Sequence, residues 1–229
     1  MNQQIRWHCF PDPDAVAGGL VRRIGAAARD AIEARGRFNL VLAGGSTPQM
    51  AYRRLAQADA DWPHWHLYLG DERCLPPEHP DRNSVMITKA WLGRVSVPLE
   101  QIHWIGAEQG AETAAAGYEA VVRGGLPFDL VLLGMGEDGH TASLFPGREP
   151  VSDALVVPVH DAPKPPPERV SLSYGALSET RALLLAVTGA SKRAAVEEWS
   201  RGASLPVSRL QCAGGIDVLL DEAAWGARC

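Results

Sequence analysis

The sequence predicts an α/β fold, doubly wound around a largely parallel sheet with helices on both faces, Rossmann-like in layout. Three observations carry that expectation. Short apolar runs rich in Leu and Val recur along the 229 residues, each the length of a buried strand. Stretches with helical spacing lie between them, so strand and helix alternate. Four of the runs break directly into loops bearing glycine, hydroxyl or charge, at residues 44–48, 70–73, 134–140 and 188–192. In a parallel sheet those four loops share one rim, outside the strand carboxyl ends, where such sheets bind ligands.

Taken in order, Ile5 to Phe10 reads as a first strand. Asp12 followed by Pro13 is a helix start, a capping side chain ahead of the residue suited to a first turn. Val16, Leu20, Ile24, Ala27, Ala31 and Ala34 recur at helical spacing, and Gly36 fits the stop. Phe38 to Ala43 reads as a buried strand, Pro48 opens a helix through Leu55, and Trp65 to Leu69 is the next strand. Cys74 to Arg82, with three prolines, is an irregular loop. A helix over about Ser84 to Leu92, a strand at Ile102 to Ile105 and a helix from Ala111 to Val122 stopped by Gly124-Gly125 precede a strand opening at Phe128. Beyond Gly147, Ala154 to Val159 is a short strand and residues 161–167 a stiff, proline-rich surface excursion. Strands at Arg169 to Tyr174 and Arg181 to Val187 follow, then a helix through Trp199; Ser208 to Trp225 is too weakly patterned to assign. Residues 1–229 are expected to form a single domain.

Composition narrows the partners. Hydrophobic residues make up 46%, ample for a core, and the net charge of −5 with a pI near 5.8 argues against a broad nucleic-acid footprint. An anionic ligand must therefore be met by local positive charge. No apolar run approaches the ~20 residues that span a bilayer, and the opening Met1 to Trp7 lacks the apolar core of a signal peptide. Cys9, Cys74, Cys212 and Cys229 are scattered with no Cys-x-x-Cys, so they read as reduced thiols of a cytoplasmic protein.

The most informative stretch is Phe128 to Gly147. An apolar run, Leu130 to Leu133, breaks into Gly134-Met135-Gly136-Glu137-Asp138-Gly139-His140. Glycines let backbone approach a ligand closely, and an imidazole beside a carboxylate on a strand-end loop suits general base chemistry. The spacing Gly134-x-Gly136-x-x-Gly139 matches a dinucleotide fingerprint by pattern. It fails in context: Glu137 and Asp138 would face a pyrophosphate, and Phe145-Pro146-Gly147 ends any crossover helix almost at once. The plain alternative is a hairpin-like loop in which Asp138 caps Thr141 and His140 is solvated.

Gly44-Gly45-Ser46-Thr47-Pro48 offers free backbone N–H groups, two hydroxyls and a helix N-terminus, either a structural cap or an anion cradle. It lacks the Gly-Lys-Ser/Thr of a nucleotide triphosphate loop. Asp71-Glu72-Arg73 is either a surface ion pair or a loop where Arg73 faces an anionic or carbonyl group and Asp71 positions one nearby. Lys192, one turn into a helix after Thr188-Gly189, is either solvated or aimed at a phosphate, and Arg169 stands where it could close the cleft. His64 and His66 are spaced to share a strand face, but with no third ligand in sight they do not predict a metal site. His8, His79, His103 and His160 belong to no constellation. No Gly-x-Ser-x-Gly elbow is present, against a serine hydrolase of the α/β type.

Leu42 to Pro48, Gly70 to Arg73, Gly134 to Gly147 and Thr188 to Lys192 together resemble the motif set of the 6-phosphogluconolactonase family, in order and spacing, over nearly the whole chain. The Gly-Gly-Ser-Thr-Pro turn is shared with the related glucosamine-6-phosphate deaminases. Those relatives usually continue Ile-Ala-Phe-Asn-Glu-Pro after their Asp-Gly-His, where this chain reads Thr141 to Pro146 and carries no acidic residue. The family often has Ser-Asn after the Asp-Glu-Arg loop; here the residues are Asn83-Ser84.

The resemblance implies hydrolysis of 6-phospho-D-glucono-1,5-lactone to 6-phosphogluconate, the second step of the oxidative pentose phosphate pathway, without metal or cofactor, by a cytoplasmic monomer with no nucleic-acid or membrane partner. His140 is then the general base, and Asp138 orients the imidazole or caps the loop. Arg73 stabilises the oxyanion or holds the phosphate. The backbone of Gly44, Gly45, Ser46 and Thr47, with Arg169 and Lys192, is expected to contact the phosphate. Two rivals remain: a deaminase or isomerase with Asp71 as proton-transfer base, and a non-catalytic sugar-phosphate sensor. A DNA-binding segment for a sensor is not expected ahead of Asp12.

Overall fold

A computed structural model describes residues 3–148 and 153–229. The first half runs through β1 (Ile5–Phe10), α1 (Pro13–Arg35), β2 (Phe38–Leu42), α2 (Ser46–Leu55), β3 (Trp65–Leu69), β4 (Asp71–Arg73) and α3 (Asn83–Ala90). The middle holds β5 (Ile102–His103), α4 (Ala111–Gly125) and β6 (Leu130–Gly134). The remainder is β7 (Val156–Val159), β8 (Arg169–Leu172), α5 (Tyr174–Ser178), β9 (Leu183–Val187), α6 (Arg193–Ser200), β10 (Ile216–Asp221) and α7 (Glu222–Trp225).

Seven strands form one parallel sheet in the order β1-β10-β9-β6-β2-β3-β5. The α/β class therefore holds, and the reason is visible in the strands: β2 and β9 are buried at every residue, as expected of strands covered on both faces. Local signals act as expected in α1, where Asp12 Oδ1 accepts the Ala15 N–H at 2.8 Å and the Gly36 N–H returns to the Ile32 carbonyl at 2.8 Å.

Several expectations are corrected. Residues 71–73 are strand rather than loop: β4 pairs antiparallel with β8, and β8 with β7, in a second, three-stranded sheet. α4 does not stop at its glycine pair. It runs through Gly125, against which the Tyr68 ring packs so closely that a Cβ would lie 2.7 Å from it, and ends where Leu126 turns extended ahead of Pro127. The unassigned C-terminal part contains β10, which lies between β1 and β9. His64 sits in a short 3-10 turn paired with Asp61, while His66 stacks on His103, so the two share no strand face.

The cysteines also differ from expectation. Cys9 and Cys229 form a disulfide, Cα–Cα 5.4 Å, leaving Cys74 and Cys212 as free thiols. Pairing of β1 with β10 brings α7 and the residues after it beside the first strand, a proximity hidden by a sequence separation of 220. Trp7 of β1 packs on Trp199 at 4.9 Å and Trp225 at 5.5 Å in the same corner.

At the amino ends of the central strands Asp129 is buried. It accepts from the Arg35 guanidinium at 2.7 Å and the Asn39 N–H at 2.8 Å, with Arg181 at 3.5 Å. Asn39 Nδ2 adds a bond to the Gly125 carbonyl at 2.8 Å. Among the described residues no helix is long and apolar enough to cross a membrane.

Candidate active site

The loops after β2, β3, β6 and β9 converge at the carboxyl rim of the sheet, as their parallel pairing requires. They enclose a cleft of about 220 Å³. Of the residues singled out in the sequence, Gly44, Gly45, Ser46, Thr47, Asp71, Arg73, His140, Arg169 and Lys192 line it; Asp138 stands behind the imidazole.

The turn after β2 is open towards the cleft. α2 has no side-chain cap, the amides of Ser46 and Thr47 find no acceptor among the described residues, and Pro48 has no N–H to satisfy. The exposed dipole end of a ten-residue helix favours an anion here. Gly44 is required by a neighbour: a Cβ on it would sit 2.1 Å from Asn83 Oδ1. Thr47 Oγ1 meets Thr188 Oγ1 at 2.5 Å, joining this turn to the loop after β9.

After β6 the chain makes a tight turn, with the Gly136 N–H donating to the His140 carbonyl at 2.8 Å. The imidazole folds back over that backbone, so a Cβ at Gly136 would lie 2.0 Å from His140 Nδ1. His140 Nδ1 lies 2.5 Å from Asp138 Oδ1. Asp138 thus serves the histidine, not Thr141, whose hydroxyl donates to the Gly134 carbonyl at 2.9 Å. An ionised Asp138 keeps the proton of the neutral ring on Nδ1 and leaves Nε2 as the acceptor. Burial pushes the His140 pKa down, and the Asp138 hydrogen bond and charge offset only part of it. For Asp138, burial acts upward, but the hydrogen bond and charge of His140 outweigh it and the carboxyl ends below its usual range. The imidazole is therefore held neutral over most of the physiological range.

Asp71 and Arg73 reach the rim on β4. Asp71 is buried, its Oδ2 accepting from Ser143 Oγ at 2.7 Å and its Oδ1 from Asn83 Nδ2 at 3.1 Å. Glu72, between them, is fully buried and points the other way. Its Oε1 accepts the N–H groups of Arg73 and Asn83 at 2.8 Å each, and its Oε2 that of Ser84 at 2.9 Å, fastening the start of α3 to β4. Arg73 donates to the Asp81 carbonyl. Opposite it in the strand register is Arg169, whose burial lowers its pKa. The Arg169 Nε donates to the Pro166 carbonyl at 3.0 Å, and Nη2 to those of Lys164 and Pro165 at 2.7 and 3.2 Å. Among the described residues Nη1 has no acceptor, so Arg169 fixes the proline-rich segment as well as lining the cleft.

Lys192 makes no hydrogen bond or ion pair among the described residues, and burial together with the nearby Lys164 charge lowers its pKa. Its loop is held from β10: Asp221, buried, accepts the Gly189 N–H at 3.0 and 3.1 Å and the Ala224 N–H at 2.8 Å. Sequence reasoning missed Asp221, Glu72 and Asn83. Asn83 carried a signal, the Asn-Ser pair at the head of α3; the two acids are visible only once strand pairing is known. No group of three His, Cys, Asp or Glu side chains is placed to hold a metal ion among the described residues.

Residues 11–219 match the family of glucosamine-6-phosphate isomerases/6-phosphogluconolactonase. The chain is 35% identical over 230 residues to a 6-phosphogluconolactonase of Nostoc sp., covering 94% of this chain and 95% of that one. It is 39% identical over 215 residues to the 6-phosphogluconolactonase of Mycobacterium tuberculosis, covering 87% of each. The crystal structure of 6-phosphogluconolactonase from Thermotoga maritima superposes with a TM-score of 0.89 at 27% identity, covering 95% of this chain and all 100% of that one. A monomeric glucosamine-6-phosphate deaminase at 20% identity, TM-score 0.83, covering 97% of this chain and 100% of that one, shares the fold. The four motif loops, their convergence on one cleft and these relationships together mean that the chain belongs to the glucosamine-6-phosphate isomerase/6-phosphogluconolactonase family.

Proposed function

We propose that this protein hydrolyses 6-phospho-D-glucono-1,5-lactone to 6-phospho-D-gluconate, with His140 as general base. The observation that carries the reading is one cleft holding both an imidazole Nε2, set by Asp138, and the uncapped N-terminus of α2 beside Lys192, with Nε2 and Lys192 unpartnered among the described residues. The first suits a water molecule, the second a phosphate dianion.

His140 Nε2 takes a proton from water as its oxygen attacks the lactone carbonyl. The tetrahedral oxyanion is met by cationic and N–H donors at the rim, Arg73 foremost. Collapse breaks the bond to the ring oxygen, and the imidazolium returns its proton to that oxygen. Asp138 holds the ring and stabilises the imidazolium while it exists. The amides of Ser46 and Thr47, Lys192 and the free Nη1 of Arg169 bind the phosphate. A lactone is already reactive towards water, so one base and fixed orientation suffice. Asp71, the base required of a deaminase, has an oxygen committed to each of Asn83 and Ser143, which supports the hydrolytic reading.

The test is acid production from freshly made 6-phosphogluconolactone, corrected for spontaneous hydrolysis. Enzyme-dependent acid release is expected. Ammonia release from glucosamine 6-phosphate with no acid from the lactone would replace this reading by the deaminase one.

A further inference from the structure

We infer that Lys164 is a further substrate-binding residue: its ion pair with Glu137 is a clasp at the mouth of the cleft, and the substrate phosphate takes the place of Glu137 on the Lys164 ammonium. The inference rests on the lactonase reading and extends it to a residue outside the cleft lining.

Lys164 lies in the proline-rich segment between β7 and β8. That segment is fixed from within. The buried Arg169 guanidinium binds the carbonyls of residues 164, 165 and 166, and the Ala162 N–H closes onto the Pro167 carbonyl at 3.0 Å. The Lys164 carbonyl is thus bonded directly to a side chain of the cleft wall. From this anchored backbone its Nζ reaches Glu137 Oε1 at 2.8 Å. Glu137 belongs to the turn that carries Asp138 and His140, so the pair joins the turn of the imidazole to the proline-rich segment.

Charge gives the clasp its purpose. The Lys164 ammonium acts on both His140 and Lys192, lowering the pKa of each, and Glu137 acts on Lys192 in the opposite sense. Two lysines therefore share the mouth, one of them unpaired and the other neutralised by a carboxylate. An ion pair between side chains 43% and 55% exposed is weak. A dianion seated on the α2 N-terminus and Lys192 offers Lys164 a stronger partner than one carboxylate does. Glu137 then acts as a placeholder, balancing Lys164 until substrate arrives.

A structural strap would behave differently. If the clasp merely held the proline segment, breaking it from either side would weaken binding in the same direction. Substrate exchange predicts opposite directions, because removing Glu137 removes a competitor while removing Lys164 removes a ligand. The experiment measures hydrolysis of the phosphorylated lactone and of unphosphorylated glucono-1,5-lactone by the full chain, as wild type, Lys164→Met, Lys164→Arg and Glu137→Gln. For the phosphorylated lactone, Lys164→Met is expected to raise KM about tenfold with kcat little changed, and Lys164→Arg to recover most of the loss. Glu137→Gln is expected to lower KM about two- to threefold. For the unphosphorylated lactone, which offers Lys164 no dianion, the KM contrast between Lys164→Met and Glu137→Gln should vanish at a pH well above 6.5, where His140 is neutral in every variant. Calorimetric binding of 6-phosphogluconate reads the same contrast without turnover. An unchanged KM in Lys164→Met, or KM shifts of one sign in both Lys164→Met and Glu137→Gln, overturns the inference while leaving the lactonase reading intact. Absence of lactone hydrolysis by the wild type overturns that reading instead.

Discussion

The two rims of the central sheet handle polar groups in opposite ways. At the amino rim Asp129 gathers Arg35, the Asn39 amide and Arg181, and Asn39 Nδ2 closes onto Gly125; within that cluster Asn39 Oδ1 alone has no partner among the described residues. At the carboxyl rim the Ser46 and Thr47 amides, His140 Nε2 and Lys192 are left without partners among the described residues. Both rims are built by the same strands, so the difference lies in the residues that follow or precede them. Unused hydrogen-bonding capacity held in place by fully used capacity is what marks the ligand side. Asp138, Asp221 and Glu72 are the holders there; each is bonded to backbone or to a ring that must not move.

The contrast can be broken by substitution. The largest effect is expected from His140→Asn, with kcat for the lactone falling about 10² to 10⁴-fold, while 6-phosphogluconate binding and the urea midpoint stay near wild type. Full activity in that variant would remove the imidazole from the chemistry. Asp129→Ala is the mirror case. It leaves the buried Asn39 N–H unpaired, while the half-exposed Arg35 and Arg181 can turn to water, and should cost roughly 1–3 kcal/mol of unfolding free energy, with kcat/KM within about twofold of wild type. A large loss of kcat/KM in the folded variant would show that the rims are not separable. Asp138→Asn should lower kcat on the order of ten- to a hundredfold by releasing the tautomer. Asp138 raises the His140 pKa against burial, so its loss also moves the acid limb of the kcat/KM profile to lower pH. The smallest effect is in the wild type itself. The base works when neutral, and burial lowers its pKa from the usual 6.5, so activity should hold at pH 6.5 and fall only below it. A midpoint above 6.5 would mean that the charge of Asp138 wins over burial.

The parallel half of the molecule was legible because its signals are local. Leu40 to Leu42, Leu130 to Leu133 and Leu183 to Val187 are continuous apolar runs ending in small residues or glycine, and that single pattern gives the strand, its burial and the side on which its loop emerges. The three-stranded sheet was not legible. Asp71-Glu72-Arg73 has no strand character of its own, and it extends only because Arg169 to Ser171, almost a hundred residues on, offers it an edge. β10 was hidden for a related reason: Asp217 and Asp221 interrupt its apolar run, although Asp217 is needed by Arg6 and His8 of β1 and Asp221 by Gly189. The residues that line the cleft could be named from loop chemistry, since its wall is made of glycine, hydroxyl, imidazole and ammonium groups carried by the four loops. Of their holders only Asp138, two residues from its histidine, could be named; Asp221 and Glu72 could not, because a carboxylate that supports a neighbouring loop looks in sequence like any other acidic residue.

The fastening of Cys229 to Cys9 lies two residues beyond Trp7, the ring that packs against Trp225 and Trp199. Opening that covalent tie is expected to loosen the tail from the first strand and turn the partly exposed indole of Trp225 towards water. A red shift in tryptophan emission on adding reductant, read in a cuvette with no label attached, would report it; an unchanged spectrum would mean that the bonds holding α7 suffice without the tie.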